Sequence, residues 1–327
     1  MSKSSIARPA LATGAILAAG AVAGTLITRR RASLRGWAFY YLVKAMAPNL
    51  SDPKVLQATI VKDRAEGPKH PPRKMLSRIT FRESRHGPMQ VFHAARIGAP
   101  EGRLKLLYLH GGAYVLDLQE IQWNLIDGLL SRVDAEVIAP IYPLGPEASW
   151  RETIAAIRAH YLDLVEEHGA ENIVVTGDSA GGGLALLLAQ AMRDEGLPQP
   201  KALVLFSPAL DLSGSGPDQP ALEKRDPALS LRMLEEIQPM WLDGLAPDDP
   251  RVSPLFADQD NLPPTIVFSG DRDILHSDAL RLKAINPAVD HRSYPEMMHV
   301  WPVSPLREAG QALDEAAAFI RQHTGSR

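Results

Sequence analysis

The residues with chemistry to offer lie in a few short stretches. Gly177-Asp178-Ser179-Ala180-Gly181 follows the apolar run Ile173-Val174-Val175 and opens a helical pattern from Ala180 to Glu195. A G-x-S-x-G set between strand and helix demands a sharp turn. Glycines two before and two after the serine let the backbone bend without a Cβ clash. Such a turn holds the Ser179 hydroxyl clear of the chain, while the helix N-terminus aims amides at developing negative charge. This is the equipment for nucleophilic attack on a carbonyl carbon. A phosphate-binding turn is the competing reading, and it lacks the lysine that GxxxxGK[ST] requires.

His110-Gly111-Gly112-Ala113-Tyr114 follows a second apolar run, Leu104 to Leu109. Its two glycines let backbone N–H groups approach a ligand closely, as stabilising an oxyanion requires. One lost donor typically costs about 2.7–4 kcal/mol of transition-state stabilisation. The expected donors are the amides of Gly111, Gly112 and Ala180. His110 precedes the serine, the wrong chain order for a base in this arrangement, so it reads as structural. Of ten histidines four follow the serine: His276, His291, His299 and His323. His323 falls on a polar helix face near the chain end. His291 falls inside an expected last strand, Asp290 to Tyr294, and His276 follows Asp273 too closely to complete a triad across two loops. His299 follows the last strand, in a loop at the sheet's carboxyl edge, and is the expected base. Asp271 and Asp273 both follow the run Thr265 to Ser269, and position alone leaves the choice of acid between them open.

Strands alternating with helices must carry these loops. Ser77 to Ser84 and Met89 to Arg96 predict a hairpin around Gly87-Pro88. Leu104 to His110, Glu136 to Tyr142, Ile173 to Thr176, Ala202 to Phe206 and Thr265 to Ser269 predict strands buried on both faces. Helical patterns run from Trp150 to His168, Ala180 to Glu195 and Leu306 to His323. The alternation predicts an α/β fold with a mainly parallel eight-stranded sheet covered by helices on both faces, and ligands at the carboxyl ends of its strands. Residues 35 to 75 read as one or two helices and a breaker-rich link holding Gly67, Pro68, Pro71 and Pro72. Asp211 to Pro250 interrupts the alternation and carries an amphipathic stretch from Leu229 to Leu242; its length predicts a lid. The expected division is a hydrophobic segment 1–31, N-terminal cap helices 32–75, and a catalytic domain 76–327 with its cap insertion at about 211–250. Tyr114, Met240, Trp241 and Leu242 are the candidates for lining a substrate pocket.

The chain has 327 residues, a formal net charge of −3, and no cysteine. Nothing in that charge favours a nucleic-acid partner. Without cysteine, disulfides, thiolate chemistry and Cys-type zinc sites are excluded. Ala10 to Thr28 is a run of 19 uncharged residues, with Lys3 and Arg8 before it and Arg29, Arg30 and Arg31 after it. A bilayer span needs about 20 residues. Membrane association through residues 10–28 is the favoured reading, with the catalytic domain on the cytoplasmic side by the positive-inside tendency. The alternatives are export after cleavage near Ala21-Val22-Ala23, or a soluble cytoplasmic protein with an N-terminal helix. A homodimer is compatible with the sequence, which does not set the oligomeric state.

Together these residues resemble the bacterial hormone-sensitive-lipase-like esterases, the GDSAG branch of the α/β-hydrolases, over about residues 75 to 325. The diagnostic motifs are His110 to Tyr114 and Gly177 to Gly181. The family's D-x-L is matched by Asp273-Ile274-Leu275, which selects Asp273 over Asp271. Met298-His299-Val300 is similar to its histidine loop. Arg225-Asp226-Pro227 and Ser253-Pro254-Leu255-Phe256 are further similar stretches. The family's Y-R-x-A-P-E reads Tyr142-Pro143-Leu144-Gly145-Pro146-Glu147 here, so Pro143 stands where an arginine contact is usual. Ala113 replaces the usual third glycine, which narrows the oxyanion loop and disfavours bulky alcohol groups. The resemblance implies an α/β-hydrolase fold with a helical cap. It implies a serine carboxylesterase acting on short- to medium-chain esters, with Ser179 as nucleophile, Asp273 as acid, His299 as base, and no metal or organic cofactor. The alternatives are a lactone hydrolase or small-molecule deacetylase with the same triad. Further off lie a serine peptidase and a non-catalytic ligand receptor; the related receptors lack the histidine that His299 supplies.

Overall fold

The computed structural model describes residues 33–98 and 104–326. The hydrophobic segment 1–31 lies outside the described residues. Eight strands form one sheet in the order β1-β2-β4-β3-β5-β6-β7-β8. They are β1 (Ile79–His86), β2 (Met89–Arg96), β3 (Lys105–Leu109), β4 (Glu136–Ile141), β5 (Ile173–Asp178), β6 (Ala202–Phe206), β7 (Thr265–Gly270) and β8 (Asp290–Tyr294). β1 and β2 pair through the Gly87-Pro88 turn, where Gly87 adopts φ +55°. β2 runs antiparallel to both of its neighbours, and every pairing from β4 to β8 is parallel.

The central strands are apolar at successive positions because both faces are covered. Leu106, Tyr108, Val204 and Phe268 point to one face. There they meet α4 (Gln122–Leu130) through Leu125 and Leu129, and the last helix, α10 (Arg307–Thr324), through Leu313 and Ile320. Leu107, Leu109, Val175, Leu205 and Val267 point to the other. They meet α5 (Trp150–His168) through Ile157 and Tyr161, α6 (Ala180–Asp194) through Leu184 and Leu188, and α9 (His276–Ile285) through Leu282. Ser149 opens α5 with a reciprocal capping box to Glu152, which satisfies amide donors the helix leaves free.

Two excursions lie outside this frame. The N-terminal one holds α1 (Leu34–Met46), α2 (Pro53–Glu66) and the short α3 (Arg73–Leu76); the one between β6 and β7 holds α7 (Gln219–Glu223) and α8 (Leu231–Trp241). They touch each other: the Ser51 and Ser230 hydroxyls are 2.5 Å apart, and Tyr40 Oη donates to the Arg225 carbonyl at 3.0 Å. Arg64 on α2 binds the loop that lacks the usual arginine, donating to the Gly145 carbonyl at 2.8 Å and the Val115 carbonyl at 2.9 Å. Among the described residues no helix is long and apolar enough to cross a membrane.

Candidate active site

Ser179 sits between β5 and α6 at φ +53°, ψ −122°. This is a strained conformation for a residue with a side chain. Close packing enforces it: a Cβ at Gly181 would lie 1.9 Å from the Leu109 carbonyl oxygen. The Ser179 N–H donates to the Phe206 carbonyl at 2.9 Å, and its own carbonyl accepts from Ala209 at 3.0 Å. The turn is thus pinned to the end of β6, and Ser179 Oγ lines a cavity above the sheet.

His299 follows β8, and its loop is fixed by the Val300 N–H donating to the buried Ser207 Oγ at 3.1 Å. His299 Nε2 lies 2.9 Å from Ser179 Oγ, and Nδ1 lies 2.9 Å from Asp273 Oδ2. A carboxylate only accepts, so Nδ1 carries the proton and Nε2 is left to receive the serine proton. Asp273 is fully buried, and its Oδ1 takes the Leu275 N–H at 2.9 Å. Asp271 turns elsewhere, toward Arg225 at 3.3 Å and the Glu296 N–H at 2.7 Å. The geometry therefore separates the two aspartates that position alone left equal. His276 and His291 both contact Ser269 Oγ, at 2.8 and 2.7 Å. Buried His110 stacks on Tyr142, with Nδ1 2.8 Å from the Gly111 carbonyl oxygen. Burial lowers the basicity of His299, but the carboxylates of Asp273, Asp226 and Asp178 outweigh it and raise its pKa above the ordinary histidine value.

The expected oxyanion donors need one correction. The Gly111 N–H donates to Asp178 Oδ1 at 3.0 Å, so it is already satisfied. Among the described residues, the N–H groups of Gly112, Ala113 and Ala180 have no acceptor within the protein. The free amides of the His110 loop are thus those of Gly112 and Ala113, one residue on from the expected pair. In the sequence Asp178 stands as a letter of the G-D-S-A-G motif with no role assigned to it. Its carboxylate also accepts from Tyr108 Oη at 2.5 Å and Gln122 Nε2 at 2.9 Å.

The cavity at Ser179 has a volume of about 250 Å³ and largely apolar walls. Tyr114, Trp241 and Leu242 line it as expected, with Tyr114 and Trp241 stacked at 4.0 Å. Met240 does not: it packs on the core with its carbonyl against Gly145. The walls that the sequence reading missed come from Leu50, Leu212, Met233 and Ile237. The helical spacing of Met233, Ile237 and Trp241 within the Leu229 to Leu242 pattern was the available signal.

Residues 106–303 match the sequence model of the alpha/beta hydrolase fold family. An acetyl-hydrolase of Streptomyces hygroscopicus is 36% identical over 230 residues, covering 67% of this chain and 76% of that protein. An esterase of Acinetobacter venetianus is 35% identical over 226 residues, covering 65% of this chain and 73% of its own. The crystal structure of an esterase from the bacterial hormone-sensitive lipase family superposes with a TM-score of 0.76 at 26% identity, covering 90% of this chain and 99% of the other.

Three outcomes are expected. The raised basicity of His299 sets the sign of the pH profile, since the neutral imidazole is the active form. kcat/KM on a chromogenic ester should rise with pH through a midpoint above about 6.5, the ordinary histidine value. Asp273→Asn should lower kcat by about 10⁴-fold, and a midpoint well below the ordinary value in the wild type would sink the assignment. Asp178→Ala should lower kcat by about 10²–10³-fold, the effect of losing an oxyanion donor, with KM nearly unchanged and the pH midpoint moved down, because one of the carboxylates that raise the His299 pKa is gone. Activity within a few-fold of wild type would show that Asp178 does not hold the loop.

Proposed function

The chain belongs to the alpha/beta hydrolase family, and from that premise we propose that it hydrolyses carboxylic esters through an acyl-enzyme on Ser179. That it is a serine-type carboxylesterase follows from its relatives; the residue roles and the acyl range are our reading. One observation carries it: the Ser179–His299–Asp273 hydrogen-bond chain opens into an apolar cavity beside free amides. His299 Nε2 takes the Ser179 proton as Oγ attacks the carbonyl carbon, and Asp273 stabilises the imidazolium. The amides of Gly112, Ala113 and Ala180 receive the oxyanion. His299 then protonates the leaving alcohol, and water repeats the sequence on the acyl-enzyme.

The acyl chain lies along Leu212, Met233 and Ile237 toward the stacked Tyr114 and Trp241 rings. A cavity of about 250 Å³ closed by two aromatic rings supports short- to medium-chain acids. The name of the Streptomyces relative supports the acetyl end of that range. Residues 32–75 and about 211–250 act as a cap over this cavity, on the catalytic domain 76–327. Leu34, Trp37, Tyr41, Leu42 and Met46 form an exposed apolar face on α1, separated from the uncharged run at residues 10–28 by Arg29, Arg30, Arg31, Ala32 and Ser33. That face supports membrane association of the N-terminal region.

Hydrolysis of p-nitrophenyl esters from acetate to palmitate tests the reading. Each added methylene that reaches the apolar wall is worth about 0.8 kcal/mol, or about four-fold in kcat/KM. The rise should stop at short or medium chain length and reverse for palmitate. Ser179→Ala should lose up to about 10⁶-fold in kcat. A folded wild-type protein inert on every ester would refute the proposal.

A further inference from the structure

α1 is apolar on both of its long faces, although only one of them is covered. On the inner face Gly36 and Tyr40 are buried, and Phe39 packs against the core that α10 covers. Its start is held by α10, through the Ser33 N–H donating to Glu308 Oε1 at 2.9 Å. On the outer face Leu34 and Met46 are 88% and 73% exposed, and Trp37, Tyr41 and Leu42 are half exposed. Ala38 and Ala45 are exposed as well. Leu34, Trp37, Tyr41 and Ala45 recur at three- and four-residue spacing, so they share one stripe of the helix. The Trp37 and Tyr41 rings meet edge to face at 4.5 Å. A helix that is hydrophobic all round is normally buried all round, and a contiguous exposed apolar patch of this kind marks an interaction surface.

Charge identifies what covers it. At 3.6 residues per turn, Arg35 lies about 100° to one side of Leu34 and Lys44 about 80° to the other, so a cation borders each edge of the stripe. Around the helix, Arg225, Arg272 and Arg307 are balanced by Asp271, Glu296 and Glu308 at 3.3, 3.7 and 3.9 Å. Among the described residues Arg35 and Lys44 have no carboxylate partner, Lys44 lying 5.9 Å from the Tyr40 ring. The same bias runs through the sequence. The first acidic residue is Asp52, so seven of the 35 Lys and Arg precede every one of the 38 Asp and Glu. An apolar stripe holding Trp and Tyr, edged by cations and free of acids, matches the boundary of an anionic bilayer. At 13 residues α1 is about 20 Å long, short of the roughly 30 Å hydrocarbon core.

We propose that α1 docks in the plane of an anionic phospholipid surface, with the Leu34, Trp37 and Tyr41 stripe in the headgroup boundary and Arg35 and Lys44 against lipid phosphates. This rests on the membrane association proposed above and names the face and the lipid class that carry it. It also places the ester pocket. α1 leads within four residues to Leu50, a wall of that cavity. Four residues span at most about 14 Å, so a surface that holds α1 lies close to that wall.

Trp37 reports the docking by itself, because Trp123, Trp150, Trp241 and Trp301 are all buried. The full chain is mixed with vesicles of phosphatidylcholine alone, or with added phosphatidylglycerol, in which the acyl chains are brominated. The anionic vesicles should quench Trp37 and protect it from iodide, and Trp37→Phe should remove both signals. Exchanging Arg35→Gln and Lys44→Gln together should lower partition into these vesicles roughly 25-fold, about five-fold for each cation near the surface. Hydrolysis of soluble p-nitrophenyl acetate should be unchanged in all variants, which shows that they fold and reads the ester activity separately. Vesicle binding that leaves Trp37 unquenched and open to iodide would assign the membrane contact to residues 10–28 and overturn the role of α1. Equal binding to neutral and anionic vesicles would overturn the lipid class, and absence of vesicle binding would overturn membrane association as a whole. Protection from iodide without lipid would also overturn the proposal, assigning the face to a second copy if sedimentation gives a dimer and to the chain's own N-terminal segment if it gives a monomer.

Discussion

The buried carboxylate of Asp178 is the constraint on which the reacting face depends. Burial pushes its pKa up, while donors from Tyr108, Gln122 and the Gly111 amide oppose that. Each comes from a different element: the end of β3, the start of α4, and the loop between them. A buried carboxylate that lost one of these would carry the desolvation penalty with less compensation. The three donors therefore hold the serine turn and the His110 loop at one separation. Because this bond consumes the Gly111 N–H, the amides left to face the reacting carbonyl are those one and two residues further on.

The same economy of charge shapes the proton path. Asp273, Asp226 and Asp178 all bear on one imidazole. Asp226 is raised to about 6, first by burial and then by the charge of Asp273. It is nevertheless placed, since its Oδ2 accepts from the Ile274 N–H at 2.9 Å and its Oδ1 from the Ala228 and Leu229 N–H groups. Asp226 therefore ties the excursion after β6 to the loop that carries Asp273. When His299 gains the serine proton it becomes the cation these carboxylates lack, in surroundings where charge interactions are weakly screened. The site is thus stabilised in the protonated state of its base that forms during attack, and it spends little reorganisation to reach it.

Much of this was legible in the sequence because the signals were local. The serine turn announces itself through glycines whose absence would place a Cβ on the Leu109 carbonyl. The apolar runs match β3 to β7 closely, since strands covered on both faces permit little else. What was not legible depends on long-range pairing. Asp178 is a motif letter with no role of its own until Tyr108 and Gln122 arrive from elsewhere in the chain. The helix His276–Ile285 was not foreseen, because it buries Ser277 and Asp278 where a core helix would show apolar residues. Asp278 is tolerated there by accepting the Leu210 and Asp211 N–H groups at 3.0 and 3.1 Å. Met240 was misplaced because it packs on the core with its carbonyl against Gly145, outside the cavity that its neighbours Trp241 and Leu242 line.

Pocket and oxyanion loop are mechanically one unit. Ala113 and Tyr114 hold φ values of +54° and +63°, a conformation that costs roughly 1–2 kcal/mol for each residue bearing a Cβ. What keeps them there comes largely from outside the catalytic sheet. The Tyr114 ring stacks on Trp241 of α8, and Trp241 Nε1 donates to Thr153 Oγ1 at 3.0 Å on α5. The Tyr114 carbonyl accepts from the Gly145 N–H at 2.9 Å, and Arg64 of α2 grips the Gly145 and Val115 carbonyls. The two excursions thus clamp the residues on either side of the free amides. Loosening Trp241 or Arg64 would relax the strained backbone that aims the oxyanion donors, and the loss would fall on the chemical step as well as on binding. Specificity and rate in this molecule are set by the same few contacts.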